Sequence, residues 1–177
     1  VGSVKEKGVT MKKINWALIG YGGMGNWHVR QLQTMDDVIN ICGIYDILPE
    51  KRKAAEENGL KAYPSLEALL ADPEIDLVTI ATPNDVHEPI AIQAMNAGKN
   101  VISEKPVTMT CASLQKMIDA SEKNGVKFSV HQNRRWDVDF IAIKEIIASG
   151  EIGETINIES RIHGSRGIPS DWRCQKA

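Results

Sequence analysis

Three glycines, Gly20, Gly22 and Gly25, follow an apolar run over Ile14–Ile19 with the spacing G-x-G-x-x-G. In a dinucleotide-binding turn the first glycine permits a tight bend, the second lets the main chain approach a pyrophosphate, and the third lets the next helix pack closely. Free N–H groups at the start of that helix then face the phosphates. The residues expected to contact such a ligand are Gly20, Tyr21, Gly22, Gly23, Met24 and Gly25.

Asp46 follows the second apolar run and lies 46 − 25 = 21 residues after the last glycine. A carboxylate at this place can accept hydrogen bonds from the adenosine ribose hydroxyls, and it would repel a 2′-phosphate. No arginine directly follows Asp46, although Lys51 and Arg52 come soon after it. The pattern favours NAD as the cofactor and leaves NADP open. Two alternatives remain: Asp46 is a turn residue before Pro49, or the glycine turn binds another ligand such as S-adenosylmethionine.

Polar residues follow the next apolar run, where the carboxyl end of a parallel strand would meet a ligand. Thr82 and Asn84 come directly after Leu77–Ala81, and both are expected to face the cofactor. Asn84 is equally suited to cap the helix predicted over Asn84–Ala97. His87 is a candidate for ligand contact, and its simpler interpretation is a residue in the first turn of that helix.

Lys105 follows the run Asn100–Ser103 and precedes Pro106. A lysine at the carboxyl end of a strand can hydrogen-bond a substrate hydroxyl and stabilise the alkoxide that forms there. Pro106 restricts Lys105 to an extended backbone and lowers the cost of a cis peptide bond between the two. Taken alone, Lys105 is typical of a surface lysine. Together with the glycine turn, it is the candidate catalytic residue.

Short β-rich runs alternate with helical segments from Lys12 to His131. The predicted strands are Ile14–Ile19, Val38–Tyr45, Leu77–Ala81, Asn100–Ser103 and Lys127–Val130. This alternation predicts an α/β fold, a Rossmann-type doubly wound parallel sheet with helices on both faces. A helix over Asp137–Ala148 and a half-buried strand over Thr155–Ile162 are predicted beyond it. The expected domains are residues 1–11 as a tag or disordered arm, 12–131 as the Rossmann domain and 132–177 as the start of an incomplete α+β domain for substrate and oligomer contacts.

Composition and charge exclude several other classes of protein. The 177 residues carry 21 Lys+Arg against 23 Asp+Glu, a formal net charge of −2, so no excess of positive charge is available to neutralise phosphates in a nucleic acid. The charge-free stretch Ile14–Trp27 is shorter than the about 20 apolar residues of a transmembrane helix. Three widely spaced cysteines, Cys42, Cys111 and Cys174, match neither a disulfide framework nor a zinc pattern. We expect a reduced, cytoplasmic protein with no metal, nucleic-acid or membrane partner.

These residues together resemble the Gfo/Idh/MocA family of oxidoreductases, which includes glucose-fructose oxidoreductase and inositol dehydrogenase. The resemblance covers nearly all of the chain from Lys12 to Ala177. It rests on an ordered set of motifs: Ala17-Leu18-Ile19-Gly20-Tyr21-Gly22-Gly23-Met24-Gly25, Ala81-Thr82-Pro83-Asn84 with His87, Glu104-Lys105-Pro106, Asn133-Arg134-Arg135, Ile147 through Ile152-Gly153, and Asp171-Trp172-Arg173.

The resemblance implies a reaction and a set of site residues. Members of the family bind NAD or NADP in an N-terminal Rossmann domain, and they oxidise a hydroxyl of sugars, polyols or related compounds or reduce the matching carbonyl. Lys105 would hold and polarise the reacting substrate, and the family's Lys-Pro bond is often cis. Packing of Trp172 and a surface ion pair of Arg134 stay open as alternatives to cofactor contact. The implied cofactor contacts beyond the glycine turn and Asp46 are Thr82, Pro83, Asn84, His87, Glu104, Lys105, Arg134, Trp172 and Arg173.

The chain also departs from the family pattern. A mostly antiparallel second domain normally follows, with a glycine-rich turn and then an Asp/His pair for proton transfer. No histidine of this chain stands in that motif, so we expect a fragment with little activity alone. A homo-oligomer is expected from pairing of the strand Thr155–Ile162 with a neighbour. The alternative from a different class is a non-catalytic module that binds a dinucleotide as a sensor.

Overall fold

The computed structural model of the chain describes residues 12–161 and 163. The chain divides into two compact units, and the boundary between them falls between His131 and Gln132. The first unit holds a single parallel sheet and its helices. The second unit begins with a turn of 3₁₀-helix and one longer helix.

Five strands form the sheet of the first unit, in the order β2-β1-β3-β4-β5, and all four pairings are parallel. Successive strands are therefore joined by crossovers, and the order reverses at β1, the switch point at which such folds bind ligands. The predicted parallel α/β fold is confirmed. The strands are β1 Ile14–Ile19, β2 Ile39–Tyr45, β3 Leu77–Ile80, β4 Asn100–Ser103 and β5 Phe128–Val130.

Capping residues bound the fifth helix at both ends. Thr110 Oγ1 accepts a hydrogen bond from the Ser113 N–H at the start of the fifth helix, and Gly125 ends that helix in the left-handed conformation, which glycine adopts without strain. The helix predicted over Asn84–Ala97 is instead a 3₁₀ turn, Asn84–Val86, followed by a shorter helix. The helices are α1 Gly23–Leu32, α2 Pro49–Glu57, α3 Leu66–Leu70, α4 His87–Asn96, α5 Cys111–Asn124 and α6 Val138–Ser149.

Helices cover both faces of the sheet, as alternation along β1 shows. Trp16 and Leu18 belong to a buried cluster with Val29 of α1 and Ala55 of α2. Ala17 and Ile19 belong to a second cluster, with residues of the other helices of this unit. Because successive side chains of a strand point to opposite faces, the two clusters lie on opposite sides of the sheet. The members of the second cluster from α3, α4 and α5 are Leu69, Leu70, Ala91, Ala94, Met95, Met117 and Ala120.

The second unit contains α6 but not the predicted strand. The helix ends at Gly150, which has a φ of 75°. Residues 155–161, the described part of the predicted strand, lie in no strand, and Ile156 is 96% exposed. A strand needs a neighbour to pair its backbone groups, and the described residues of this unit supply none. The strand prediction is therefore wrong for residues 155–161. Among the described residues, no helix combines the length and the apolarity that crossing a membrane requires.

Candidate functional site

Because of the sheet register, the residues that directly follow the five strands lie in one row. Ile19 of β1 pairs with Tyr45 of β2 and with Ile80 of β3, the last residue of each strand. The pairing continues at the same level to Ser103 of β4 and Val130 of β5. The residues directly after the strands therefore lie side by side at the carboxyl edge of the sheet. They are Gly20, Asp46, Ala81, Glu104 and His131.

The glycine turn follows β1 in this row, and its glycines differ in how much space surrounds them. Gly20 has a φ of 96°, and a Cβ there would lie 2.8 Å from the Ala81 carbonyl carbon. A Cβ on Gly25 would lie 2.0 Å from the Gly20 oxygen. A Cβ on Gly22 or Gly23, by contrast, meets no atom within 4 Å in the part of the chain that the structure describes. The outer glycines thus allow the turn and the α1 packing, and the inner two border open space beside the helix N-terminus.

Asp46 fixes the turns on either side of it. One carboxylate oxygen accepts the Tyr21 N–H at 2.7 Å, and the other accepts the Leu48 N–H at 2.9 Å. A carboxylate has about four lone-pair sites, so acceptor capacity remains for a sugar hydroxyl. The turn role that the sequence left as an alternative is present, and the ribose contact stays a prediction. The Arg52 guanidinium lies beside it and donates to the Asp46 carbonyl oxygen at 2.6 Å.

Thr82 and His87 lie at the end of β3. The Thr82 hydroxyl is buried and has no hydrogen-bond partner among the described residues, and Gly20 borders the Thr82 backbone. His87 is fully buried, and its ring nitrogens lie 3.0 Å from the Thr82 carbonyl oxygen and 3.1 Å from that of Pro106. A neutral ring donates to one of these acceptors at a time. The His87 side chain therefore bridges the β3 and β4 ends, while the orphaned Thr82 hydroxyl is suited to a ligand.

Pro83 and Asn84 continue this loop as the N-cap and the first residue of the 3₁₀ turn. Pro83 is exposed and Asn84 is half-buried. No side-chain hydrogen bond caps the turn. The capping role considered for Asn84 is therefore wrong, and its cofactor contact stays a prediction.

Lys105 is exposed at the carboxyl end of β4, and its bond to Pro106 is cis, as the resemblance implied. Among the described residues, no hydrogen bond or acidic partner holds its ammonium group. The charge is therefore available to an oxygen that a substrate brings to this edge.

Glu104, next to Lys105, is buried at 5% exposure. Its Oε1 lies 2.8 Å from both His28 Nε2 and His131 Nδ1, and its Oε2 accepts the Lys105 N–H at 3.2 Å. Burial alone would raise the pKa of Glu104. The hydrogen bonds from His28 and the Lys105 N–H, with the positive charge that either imidazole carries when protonated, hold that pKa at about 2 instead.

Sequence reasoning missed His28 and His131 as site residues, and two signals could have found them. His28 follows Gly25 by three residues, less than one helical turn. His131 comes directly after β5, in the same row position as Glu104.

Three predicted contacts belong to the second unit or lie outside the described residues. Arg134 is exposed and its guanidinium binds the Asp137 carboxylate at 2.8 Å, which raises the pKa of Arg134. This is the surface ion pair that the sequence left as an alternative, and its cofactor contact stays a prediction. Trp172 and Arg173 lie outside the described residues.

Comparison with known sequences is consistent with this geometry. Residues 14–132 match the oxidoreductase family with an NAD-binding Rossmann fold, Gfo/Idh/MocA. Inositol 2-dehydrogenase of Salmonella typhimurium is 31% identical over 156 residues, which cover 86% of this chain and 46% of that protein. An uncharacterized oxidoreductase of Schizosaccharomyces pombe is 43% identical over 112 residues, 63% of this chain and 30% of that protein. The chain thus spans less than half the length of these curated relatives.

Solved structures of NAD-binding proteins and dehydrogenases are also similar to this chain. An NAD-binding protein from Listeria innocua is 52% identical with a TM-score of 0.86, and the match covers 92% of this chain and 48% of that one. The WlbA dehydrogenase from Bordetella pertussis, in complex with NADH and UDP-GlcNAcA, is 30% identical with a TM-score of 0.76, over 80% of this chain and 44% of that one.

Proposed function

Because the chain belongs to the Gfo/Idh/MocA oxidoreductase family, which has an NAD-binding Rossmann fold, we propose that it binds NAD at the carboxyl edge of its sheet. A bound nicotinamide would accept a hydride from a carbon that bears a hydroxyl in a sugar, a polyol or a related compound, or would supply one to the carbon of the matching carbonyl. The chain's own part is to bind and orient the dinucleotide and to stabilise charge on the reacting oxygen.

One observation carries the proposal: the glycine turn leaves space that its own fold does not need. No atom of residues 12–161 outside the turn itself lies within 4 Å of a Cβ built on Gly22 or Gly23, and α1 begins at Gly23. A helix N-terminus with free N–H groups favours an anion such as a pyrophosphate. The Thr82 backbone borders the same turn, and its buried hydroxyl has no hydrogen-bond partner among the described residues. Open space beside the helix N-terminus and a buried hydroxyl that no described residue satisfies together fit a polar ligand.

Lys105 takes the catalytic role in this proposal. Its ammonium group has no competing partner among the described residues, so it can donate to a substrate hydroxyl at the β4 end. A positive charge next to the oxygen stabilises an alkoxide more than a neutral hydroxyl, which lowers the barrier to hydride loss from the attached carbon. Holding the two reactants side by side removes a further part of the barrier.

The names of the relatives support the substrate class. One is named for inositol, a polyol, and one solved structure is a complex with both NADH and the nucleotide sugar UDP-GlcNAcA. The alignment covers less than half of each of these proteins. We therefore assign the remaining substrate contacts and the proton-transfer groups to the regions of those relatives that the aligned part does not contain. The 177-residue chain alone is expected to bind NADH without measurable turnover.

Binding of the cofactor is tested by titrating the purified chain with NADH, NADPH and S-adenosylmethionine and following fluorescence and heat. We expect saturable NADH binding and no heat with S-adenosylmethionine. The Gly22→Ala variant separates binding from folding. Its Cβ has room in the fold but takes up space that the pyrophosphate would occupy. It should keep the wild-type melting temperature and lose about tenfold in NADH affinity. Absence of NADH binding by the folded wild-type chain would refute the proposal.

The catalytic role of Lys105 is tested in the full-length gene product with a panel of polyols and sugars. Lys105→Ala should abolish polyol-dependent NADH formation and leave NADH affinity unchanged. Lys123→Ala, at an exposed lysine of α5, is the matched control and should behave as wild type. Retained turnover in Lys105→Ala would favour the sensor module over the enzyme.

A further inference from the structure

Two histidines from distant parts of the first unit meet on one carboxylate. His28 comes from α1, Glu104 from the end of β4 and His131 from the end of β5. The side chains of His28 and Glu104 are 9% and 7% exposed, and that of His131 is 24% exposed. The two rings are 4.7 Å apart between centroids, and the Trp27 ring lies at 5.4 Å from His28 and 6.1 Å from His131.

The charge of Glu104 decides which ring nitrogens of His28 and His131 carry a proton. Glu104 has a pKa of about 2, so its carboxylate is ionised near neutral pH and can only accept hydrogen bonds. Both ring nitrogens that face Oε1 must therefore carry a proton. When neutral, His28 is the tautomer with its proton on Nε2, and His131 is the tautomer with its proton on Nδ1. These two donors share one oxygen, which leaves Oε2 to the Lys105 N–H.

The main chain of Lys105 is held on both sides, although its side chain is exposed. Glu104 Oε2 accepts the Lys105 N–H at 3.2 Å. The Pro106 carbonyl oxygen, on the other side, lies 3.1 Å from His87 Nδ1. The residue before Lys105 is also held, since the Glu104 N–H donates to the Ile80 carbonyl oxygen at 2.9 Å and Ser103 Oγ donates to the Glu104 carbonyl oxygen at 3.2 Å, but among these contacts only the one from Oε2 reaches the Lys105 N–H itself. A displacement of about 1 Å at a reacting group can cost a large part of the rate.

We propose that His28 and His131 are positioning residues, which lock the Glu104 carboxylate so that it holds the Lys105 backbone in place for hydride transfer. This inference rests on the role given to Lys105 under the proposed function. Neither histidine touches the substrate in it. Each acts through Glu104, and Glu104 acts through the amide of Lys105.

The same three side chains could hold a metal ion, since their ligand atoms lie within 4.8 Å of one another. Two histidines and a glutamate are a known zinc ligand set. Tetrahedral ligands at about 2.0–2.1 Å from zinc would be about 3.3 Å apart. The observed nitrogen-to-oxygen distances of 2.8 Å are instead those of hydrogen bonds. The geometry thus favours the hydrogen-bonded lock over a metal centre.

The first test uses the unmutated chain labelled with ¹⁵N and needs no variant to fold. Nitrogen shifts of the rings should show a protonated Nε2 on His28 and a protonated Nδ1 on His131 at neutral pH. Addition of Zn²⁺ should leave both signals in place. Loss of both ring protons with retention of one Zn²⁺ per chain on dialysis would overturn the proposal, and so would the opposite tautomer on either ring.

The second test compares variants that remove or keep the donor. His28→Leu and His131→Leu remove it, whereas His28→Gln and His131→Asn place an amide N–H at about the same position. In the leucine variants, hydrogen exchange of the Lys105 amide should accelerate about tenfold, the effect of weakening one hydrogen bond. In the full-length gene product, kcat should fall about tenfold and the KM for NAD should stay within about twofold. The amide variants should restore both values.

The outcomes separate this inference from the proposed function. Leucine variants that fold and show wild-type Lys105 exchange and wild-type kcat would overturn the lock, even if NADH binds as proposed. Equal losses in the leucine and amide variants would also overturn it, because they would indicate packing of the rings and not donation. If the wild-type chain fails to bind NADH, the proposed function fails, while the ring tautomers and the Lys105 exchange still report on the lock.

Discussion

The carboxyl edge of the sheet differs between its β1–β3 end and its β4–β5 end. At the first end, the described residues leave open space beside Gly22 and Gly23 and supply no partner to the Thr82 hydroxyl. At the second, Glu104 is buried and both of its oxygens accept hydrogen bonds. The open end is suited to receive a ligand's polar groups. The β4–β5 end, where these hydrogen bonds are made, is suited to hold a reacting side chain in a fixed position. A site for hydride transfer needs both a place for the ligand and a fixed reacting group.

The largest effect is expected from Glu104→Leu, which leaves the buried His28 imidazole, the half-buried His131 imidazole and the Lys105 N–H without their acceptor. Removing one partner of a buried ionic cluster costs about 3 to 5 kcal/mol, so the free energy of unfolding should fall by that amount in urea titrations. Glu88→Leu is the matched control, because its exposed ion pair with Lys116 is worth less than about 1 kcal/mol. Similar losses in the two variants would show that the β4–β5 end is no more tightly held than the surface.

The acid dependence of stability should come mainly from the same carboxylate. The pKa of Glu104 falls from its ordinary value of 4.5 to about 2 on folding, so the folded state favours the ionised form. This contribution is complete above pH 4.5 and is lost as the pH falls through 2. The gap corresponds to about 3 kcal/mol. In unfolding titrations between pH 5 and 2, the stability difference between wild type and Glu104→Gln should shrink by about that amount, and a constant difference would contradict the assignment.

A comparison of two glycines should separate folding from binding at the open end. A Cβ on Gly25 would lie 2.0 Å from the Gly20 oxygen, and one on Gly22 meets no atom within 4 Å. Gly25→Ala is therefore expected to lower the free energy of unfolding by about 2 kcal/mol through overpacking. Gly22→Ala should lower it by less than about 0.5 kcal/mol. Chemical denaturation of both variants checks this, and equal stabilities would mean that the turn can relax around either side chain.

The two ends also differ in how far the sequence could reveal them. The places of the glycine turn and Asp46 directly after their strands, and of Lys105 two residues after β4, were predictable from residue type and periodicity, whereas their ligand contacts stay predictions. Glu104 was assigned to the cofactor by resemblance, and its buried hydrogen bonds were not foreseen. Its partners are 76 and 27 residues away in the chain, and the contact with His28 depends on how α1 is rotated against the sheet. Periodicity does not report that rotation.

Two predictions were wrong, and each failed for a physical reason. Ile156 and Ile158 alternate with polar residues as in a half-buried strand, but a strand forms only where a neighbouring strand accepts its backbone hydrogen bonds. The Asn84 side chain is of a type that caps helices well. Asn84 is instead the first residue of a 3₁₀ turn, and no side-chain hydrogen bond caps that turn. In both cases the local pattern was read correctly and the surrounding structure decided the outcome.

The smallest expected effect concerns the choice between NADH and NADPH, where Asp46 and Arg52 oppose each other. The Asp46 carboxylate would repel a 2′-phosphate, whereas the Arg52 guanidinium lies next to it and donates to the Asp46 and Ile47 carbonyl oxygens at 2.6 and 3.1 Å. Asp46→Ser removes the negative charge and keeps an acceptor for the Tyr21 N–H, so NADPH affinity should rise relative to NADH by about tenfold, or about 1.4 kcal/mol. Asp46→Ser combined with Arg52→Ala should reverse the gain, because the cation is then missing as well. Titration of both variants with the two nucleotides measures the ratio, and an unchanged ratio in Asp46→Ser would place the ribose away from the end of β2.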